Sequence, residues 1–337
     1  MRAALRLTGA THPHPNPRVG SVIVADDGVV VGSGAHERPG EPHAERLALD
    51  GRRLPGATLV VTLEPCSHHG RTPPCTDAII ESGVSTVVIG AIDPDERVAG
   101  SGIEALRRAG IEVMEGILSG EVEANDPAYF HHRRTGRPRY TVKLATTLDG
   151  QAAAADGTSQ WITGEAARND VHELRSTHDA VIVGAGTLIA DDPRLNVRID
   201  GYGGPQPRPV IVKGKRPLPS GSKALDRDPI VLEPDAGGAV SIEEIDSALI
   251  DAGILSALVE GGPSLARSFI GAGRADEVVW YVAPKIALGS GLPAIAGTFM
   301  TLTDAIDVEI TSVDRIGRDL RIKAIPSRST DVHRNSD

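Results

Sequence analysis

The stretch TLEPCSHHGRTPPC, residues 62–75, decides how this chain is read. It begins at the end of a β-branched run, ATLVVTLE, which Pro65 stops. It ends by opening CTDAIIESG, a helical run with Gly83 as its stop signal. Strand, loop and helix thus follow one another, and the only two cysteines of the chain, Cys66 and Cys75, sit where the strand ends and the helix starts. Two cysteines in a chain without a secretory signature read as thiols or thiolates, not as a disulfide framework. Zinc prefers thiolate and imidazole ligands, and a catalytic zinc site keeps one position open for water. His43, in EPHAE at the head of another short helix, supplies the imidazole. Helix N-termini carry the positive dipole end, which favours thiolates there.

His43 and Glu45 would lie on opposite faces of a regular helix. His43 is therefore expected in the very first turn, with the longer Glu45 reaching back as a proton carrier. This set, H-x-E followed by P-C and C, corresponds to the zinc deaminase signature, in which the Glu is not a ligand. A structural zinc would need four protein ligands, with His68 or His69 as the fourth, and would leave Glu45 without a role. The remaining histidines here, His12, His14, His131 and His132, read as surface residues.

Outward from the motif the chain alternates strands and helices. GSVIVADDGVVVGSG, residues 20–34, reads as two strands around an Asp27-Gly28 turn. PHAERLALDG is a short helix stopped by Gly51; VSTVVIGAID, GIEALRRAG and IEVMEG continue as strand, helix and strand. This spacing predicts an α/β layer over a largely parallel sheet. The basic segment FHHRRTGRPRY changes the texture, and a domain boundary is placed at residues 136–139, giving domains 1–138 and 139–325. Beyond it, helices are expected over 164–176 and 242–252 and from Pro263. Strands are expected over 179–184, 209–213, 229–233, 255–260, 277–283, 308–313 and 320–324. The last residues, 326–337, read as a disordered tail.

Composition narrows the class. The 337 residues suffice for two domains with their own cores. Hydrophobic content of 40%, charged content of 24% and net charge of −10 fit a soluble, cytoplasmic protein and argue against a nucleic-acid surface. No apolar run approaches the ~20 residues of a membrane span, and MRAALRLTGATHPHPNP lacks the apolar core of a signal peptide. In the second half, VEGGPSLARSFI reads as strand, glycine turn and helix with Pro263 in the first turn, a site for a cofactor diphosphate. GAGTLIADDP also follows a strand and lets backbone approach a ligand, although ADDP also reads as a helix cap.

Nucleobase deaminases commonly leave two residues between their cysteines; here eight intervene, and the insert is expected to face the substrate, with Arg71 partnering a phosphate or carbonyl. With HPNPRVGSVIV and GEPHAE, this segment resembles the bifunctional deaminase/reductase family of riboflavin biosynthesis. LATTLDG, SQWITG, ARNDVHELR, GAGTLIADDPRLNVR, VEGGPSLA and YVAPKI resemble the family's reductase domain, so the likeness spans almost the whole chain. The resemblance implies a cytidine-deaminase-like three-layer α/β domain followed by a dihydrofolate-reductase-like α/β domain. It implies Zn2+ and NADPH as cofactors, a pyrimidine ribosyl phosphate as substrate, and a homo-oligomer. Carried over by position, Asn16 and His36 hold the pyrimidine. NADPH contacts fall on Ala145, Trp161, Thr187, Asp191 and the turn Gly262, Pro263, Ser264, Leu265, Ala266, Arg267 and Ser268. Substrate contacts fall on Lys143, Ser159, Arg175, Leu195, Arg198 and Glu260, with the guanidinium groups suited to a phosphate. One departure stands out. Where the family strand carries an acidic and a hydroxyl residue, this chain has Lys213 and Gly214, so a cofactor contact is lost and Lys213 is placed to attract the 2′-phosphate. An altered reductase domain beside a working deaminase is the rival reading.

Overall fold

Close packing of backbone on backbone shapes the first of two compact units, residues 1–137. The computed structural model describes residues 1–68, 73–96, 98–298 and 300–327. A five-stranded sheet runs in the order β2 (Val30–Ala35), β1 (Gly20–Val24), β3 (Thr58–Leu63), β4 (Thr86–Ala91), β5 (Glu112–Met114). Helix α1 (Arg2–Leu7) covers one face and α2 (Ala44–Leu49) the other. Each approaches so closely that a side chain would not fit beneath it. A Cβ on Gly20 would lie 2.1 Å from Ala4 O in α1, and one on Gly34 would lie 2.4 Å from Leu47 Cβ in α2. Helix α3 (Cys75–Ser82) lies beside α2, and its chain turns away at Gly83 with φ +74°. The unit is completed by α4 (Ser101–Arg108), α5 (Ser119–Asn125) and α6 (Pro127–Thr135).

The sheet is mixed, not largely parallel. β1 pairs antiparallel with both β2 and β3, and only β3–β4–β5 are parallel. The short Asp27-Gly28 connection forces this: a tight hairpin can join only antiparallel neighbours. Helices α1, α5 and α6 fall outside the sequence expectation. Ala4 and Val122 are the sole buried residues of α1 and α5, and in α6 the three buried residues, Ala128, Tyr129 and Phe130, are consecutive instead of spaced at the helical period.

The second unit, residues 138 onward, is built on an eight-stranded sheet. In chain order its elements are β6 (Arg139–Thr147), β7 (Gln151–Ala153), α7 (Glu165–Ser176), β8 (Ala180–Gly184), α8 (Ala185–Asp191), β9 (Arg208–Val212) and β10 (Ile230–Leu232). These are followed by α9 (Ile242–Asp251), β11 (Ser256–Val259), α10 (Pro263–Gly271), β12 (Glu277–Ala283), β13 (Leu292–Pro293), β14 (Val308–Ile316) and β15 (Asp319–Pro326). The sheet order is β10-β9-β8-β11-β6-β12-β15-β14, parallel from β10 to β12 and antiparallel at the end. Both faces of its centre are buried, which explains near-continuous runs such as AVIV in β8. Tyr140, Val142 and Ile182 pack against Phe269 of α10 and Ile245 and Leu249 of α9, while Val181, Val183, Leu188 and Leu258 form the opposite core. Strand β15 continues through Pro326, one residue into the expected tail; residues 328–337 lie outside the described residues. ADDP closes α8 instead of opening a helix: Asp192 is its left-handed C-cap, φ 40°.

Candidate active sites

In the first unit, three chain segments deliver donors to one point. His43 is the N-cap of α2, Cys75 is the first residue of α3, and Cys66 follows β3 across Glu64 and Pro65. His43 Nδ1 lies 3.2 Å from Cys75 Sγ and 3.6 Å from Cys66 Sγ, and all three donor atoms lie within 4.8 Å of one another. Ligand atoms around a tetrahedral zinc are separated by roughly 3.5–4 Å, so one nitrogen and two sulfurs at these distances fit the metal and leave a position open. The Cys75 thiol hydrogen-bonds Cys66 and holds its thiol down to about 4, with His43 and the Cys75 backbone N–H adding to this. Cys66 in turn raises the His43 imidazole above its ordinary value.

Glu45 is 3% exposed. Burial, with the Cys66 thiolate beside it, pushes its carboxyl up to about 7, where a proton carrier works best near neutrality. His36 stacks edge-on against His43 at 5.2 Å and holds Asn16 Nδ2 at 3.0 Å through its Nε2. Its other ring nitrogen lies 3.2 Å from Pro42 O. The Asn16–His36 pair therefore borders the metal cluster. Arg71 and His69 lie outside the described residues.

Sequence reasoning missed Glu64. Its buried carboxylate accepts backbone N–H groups from Asp93 and Gly100 on one oxygen and from Gly102 and Ile103 on the other, at 2.9–3.3 Å. A Cβ on Gly102 would lie 2.0 Å from Pro65 O, and Ser67 Oγ meets Ser101 Oγ at 2.7 Å. The residues flanking Cys66 are thus clamped to the start of α4. A buried acid immediately before the ligand loop was the available signal. His14 is corrected in the same way: its side chain is only 10% exposed and binds Asp126 at 3.0 Å. Asp126 also caps α6 and accepts the Arg18 N–H.

In the second unit a cavity of about 1500 Å³ opens outside the C-terminal ends of the parallel strands, where ligands of open α/β sheets bind. Lys143 and Ala145 reach it from β6, Ser159 and Trp161 from the loop before α7, and Arg175 from α7 itself. Thr187 and Asp191 come from α8, and Leu195 and Arg198 from the segment after it. The turn after β11 adds Glu260, Gly262, Pro263, Ser264, Leu265 and Ser268. Gly261 must be small because Leu265 Cδ2 would lie 2.4 Å from any Cβ there. Ala266 and Arg267 are not brought to the cavity. Helical periodicity turns Ala266 into the core, and Arg267 reaches Ala296 O.

Within the cavity Arg175 forks onto Glu260 at 2.5 and 2.8 Å. Burial pushes the Glu260 carboxyl up, but the guanidinium outweighs this and holds it below the usual range. His172 lies alongside, its imidazole lowered to about 4 by burial and by Arg175 and Arg198. Burial also lowers the Lys143 ammonium, which sits 5.9 Å from the Tyr281 ring centroid. Lys213 ends up on the cavity edge, bound to both Glu233 oxygens at 2.7 and 2.8 Å, so its charge is already partnered.

Residues 1–91 match the family described as the cytidine and deoxycytidylate deaminase zinc-binding region, and residues 138–322 match the RibD C-terminal domain. Riboflavin biosynthesis protein RibD of Mycobacterium tuberculosis is 41% identical over 322 residues, covering 93% of this chain and 91% of the relative. The Escherichia coli protein of the same name is 38% identical over 363 residues, covering 95% and 96%. Among solved structures, Acinetobacter baumannii RibD superposes with a TM-score of 0.87 at 35% identity over 97% of both chains. A Thermotoga maritima diaminohydroxyphosphoribosylaminopyrimidine deaminase/5-amino-6-(5-phosphoribosylamino)uracil reductase does so with 0.87 at 37% identity, again over 97% of both. Fold and sites define a zinc deaminase joined to an NADPH-using reductase in one α/β chain. The chain belongs to the RibD family, the bifunctional enzymes of riboflavin biosynthesis.

Proposed function

We propose that the first unit deaminates 2,5-diamino-6-ribosylamino-4(3H)-pyrimidinone 5′-phosphate and that the second reduces the ribosyl group of the product to a ribityl chain. The observation that carries this reading is the coexistence of a buried, protonatable Glu45 against the His43/Cys66/Cys75 cluster with a strand-end cavity holding Arg175, Glu260 and Lys143. Zinc held by those three residues supplies the Lewis acidity that makes water a nucleophile near pH 7. Glu45 accepts the proton of the attacking water and returns protons to the ring and to the departing ammonia. Water replaces the amino group with oxygen, and one ammonia leaves. Asn16 and His36 hold the pyrimidine in place.

In the second unit the cavity residues would hold NADPH, which would supply the hydride for reduction at C1′ of the ring-opened ribose. The Gly262 turn and the N-terminus of α10 receive the cofactor diphosphate. Arg198 and Arg175 receive the ribose phosphate. Lys143 and Asp191 are the cavity groups we assign to moving the accompanying proton.

We infer a cytoplasmic homo-oligomer. Thiol-dependent metal ligation suits a reducing compartment, and the outer strand β14 exposes Val308, Ile310 and Val313 at 50–58%. Among the described residues no helix is long and apolar enough to cross a membrane.

A paired assay on zinc-loaded protein tests the proposal: ammonia release from the diaminopyrimidine, followed by stoichiometric NADPH oxidation. Ammonia release without NADPH oxidation would sink the reductase half, and absence of both would sink the substrate assignment.

A further inference from the structure

The reductase cavity has two ends, and the chemistry above uses only one. Arg175, Glu260 and Lys143 mark the first. The other lies where the chain leaves β9 and runs through Lys213, Gly214, Lys215 and Arg216. Val240, Ile242 and Ile245 add apolar lining to the cavity, backed by the core around Phe269. Apolar lining next to three basic residues in four positions suits a purine carrying a phosphate.

The three basic residues are not equivalent. Lys213 is spoken for by Glu233. Lys215 and Arg216 are exposed on the rim and have no carboxylate partner among the described residues. The Lys215 stem lies across Gly238, where a Cβ would come within 2.2 Å of Lys215 Cε. The side chain is thus laid against Gly238 in the 235–239 turn. Distance agrees with this placement. β9 is two strands from β11, whose following turn faces the cofactor diphosphate. Two strand spacings make roughly 10 Å, about the reach from a diphosphate to the far side of its adenosine.

Resting on the NADPH reading of this unit, we propose that Lys215 and Arg216 bind the 2′-phosphate of NADPH and set its preference over NADH, with adenine against Val240 and Ile242. Lys213 is not the discriminating residue. A phosphate dianion gains charge-assisted hydrogen bonds from ammonium and guanidinium groups that a 2′-hydroxyl does not match.

Calorimetric titration of the zinc-loaded full chain with NADPH and with NADH tests this without turnover. The Lys215→Ala/Arg216→Ala variant raises the NADPH Kd about tenfold or more and leaves the NADH Kd within about twofold. Exchanging the two cations, Lys215→Arg/Arg216→Lys, retains NADPH affinity, and Lys213→Ala moves either Kd by less than about twofold. Raising salt from about 50 to about 500 mM weakens NADPH more than NADH. An unchanged NADPH Kd in the double variant, or equal weakening of both cofactors, would overturn the assignment. So would a Lys213→Ala loss as large as that of the double variant. If the unaltered chain binds neither cofactor, the reductase reading falls, and the rim assignment falls with it.

Discussion

The two sites of this chain are made differently. The metal cluster is small and fixed by backbone: two of its donors stand at helix starts, and the third is clamped to α4 through Glu64 and Gly102. The reductase cavity is wide, assembled from six or more separate segments, and its charges are largely neutralised by one another: Arg175 by Glu260, Lys213 by Glu233. A site of the first kind works on a reacting atom held at one point. A site of the second kind must accommodate two ligands at once, and the substrate phosphate has to compete with Glu260 for its Arg175 anchor. The difference predicts that damage to the first site is all-or-none, while damage to the second is graded.

The largest effect should come from Glu45→Gln, which keeps shape and removes the proton carrier. Ammonia release falls by a factor of about a thousand, while zinc content by elemental analysis stays at one per chain. Loss of the metal along with activity would mean that Glu45 works through the ligands, blurring the contrast. Next comes Glu260→Gln in the other site. It leaves the Arg175 guanidinium buried without its partner, and the second unit loses about 3 kcal/mol of stability in denaturant titration. Ammonia release is unchanged. Glu64→Gln should cost about 2 kcal/mol in the first unit, since an amide cannot accept on both sides from four N–H groups. Faster zinc loss to a chelator accompanies it, and the NADPH Kd stays put. A drop in NADPH affinity would show that the clamp is not confined to the metal site.

At neutral pH the smallest expected effect is that of His172, which shows only as a pH dependence. His172 is held neutral in the folded state, with its pKa depressed to about 4. Its contribution to stability is therefore complete above the ordinary histidine value of about 6.5 and is lost as pH falls from there toward 4. His172→Gln should flatten that part of the stability profile of the second unit, and a parallel slope in both proteins would exclude His172 as its source.

This contrast also explains what the sequence discloses. A metal site needs particular atoms at particular spacing, so EPHAE and TLEPCSHHGRTPPC can be read directly as a donor set with a proton carrier. The central strands of the second sheet are equally legible, because burial on both faces writes them as apolar runs. The mixed direction of the first sheet was written only in the Asp27-Gly28 hairpin. Helices α1 and α5 were hidden because each buries a single residue, and α6 because its buried Ala128, Tyr129 and Phe130 are consecutive and show no helical period. Glu64 and His14 escaped because each makes a tertiary tie to residues far along the chain: Glu64 to the start of α4, His14 to Asp126. The resemblance implies the whole run 262–268 as cofactor contacts, and only the helical phase of α10 turns Ala266 into the core and Arg267 toward Ala296 O. Lys213 was visible as an oddity, but its pairing with Glu233 and the free charges beside it belong to tertiary structure.

The most direct test of two independent active sites in one chain is to give zinc-loaded Glu45→Gln protein the already deaminated intermediate and follow NADPH oxidation. The account predicts oxidation at the rate of the unaltered enzyme, although the same variant releases almost no ammonia from the diaminopyrimidine. Failure to oxidise NADPH with intermediate supplied, in a variant that keeps its zinc, would contradict it.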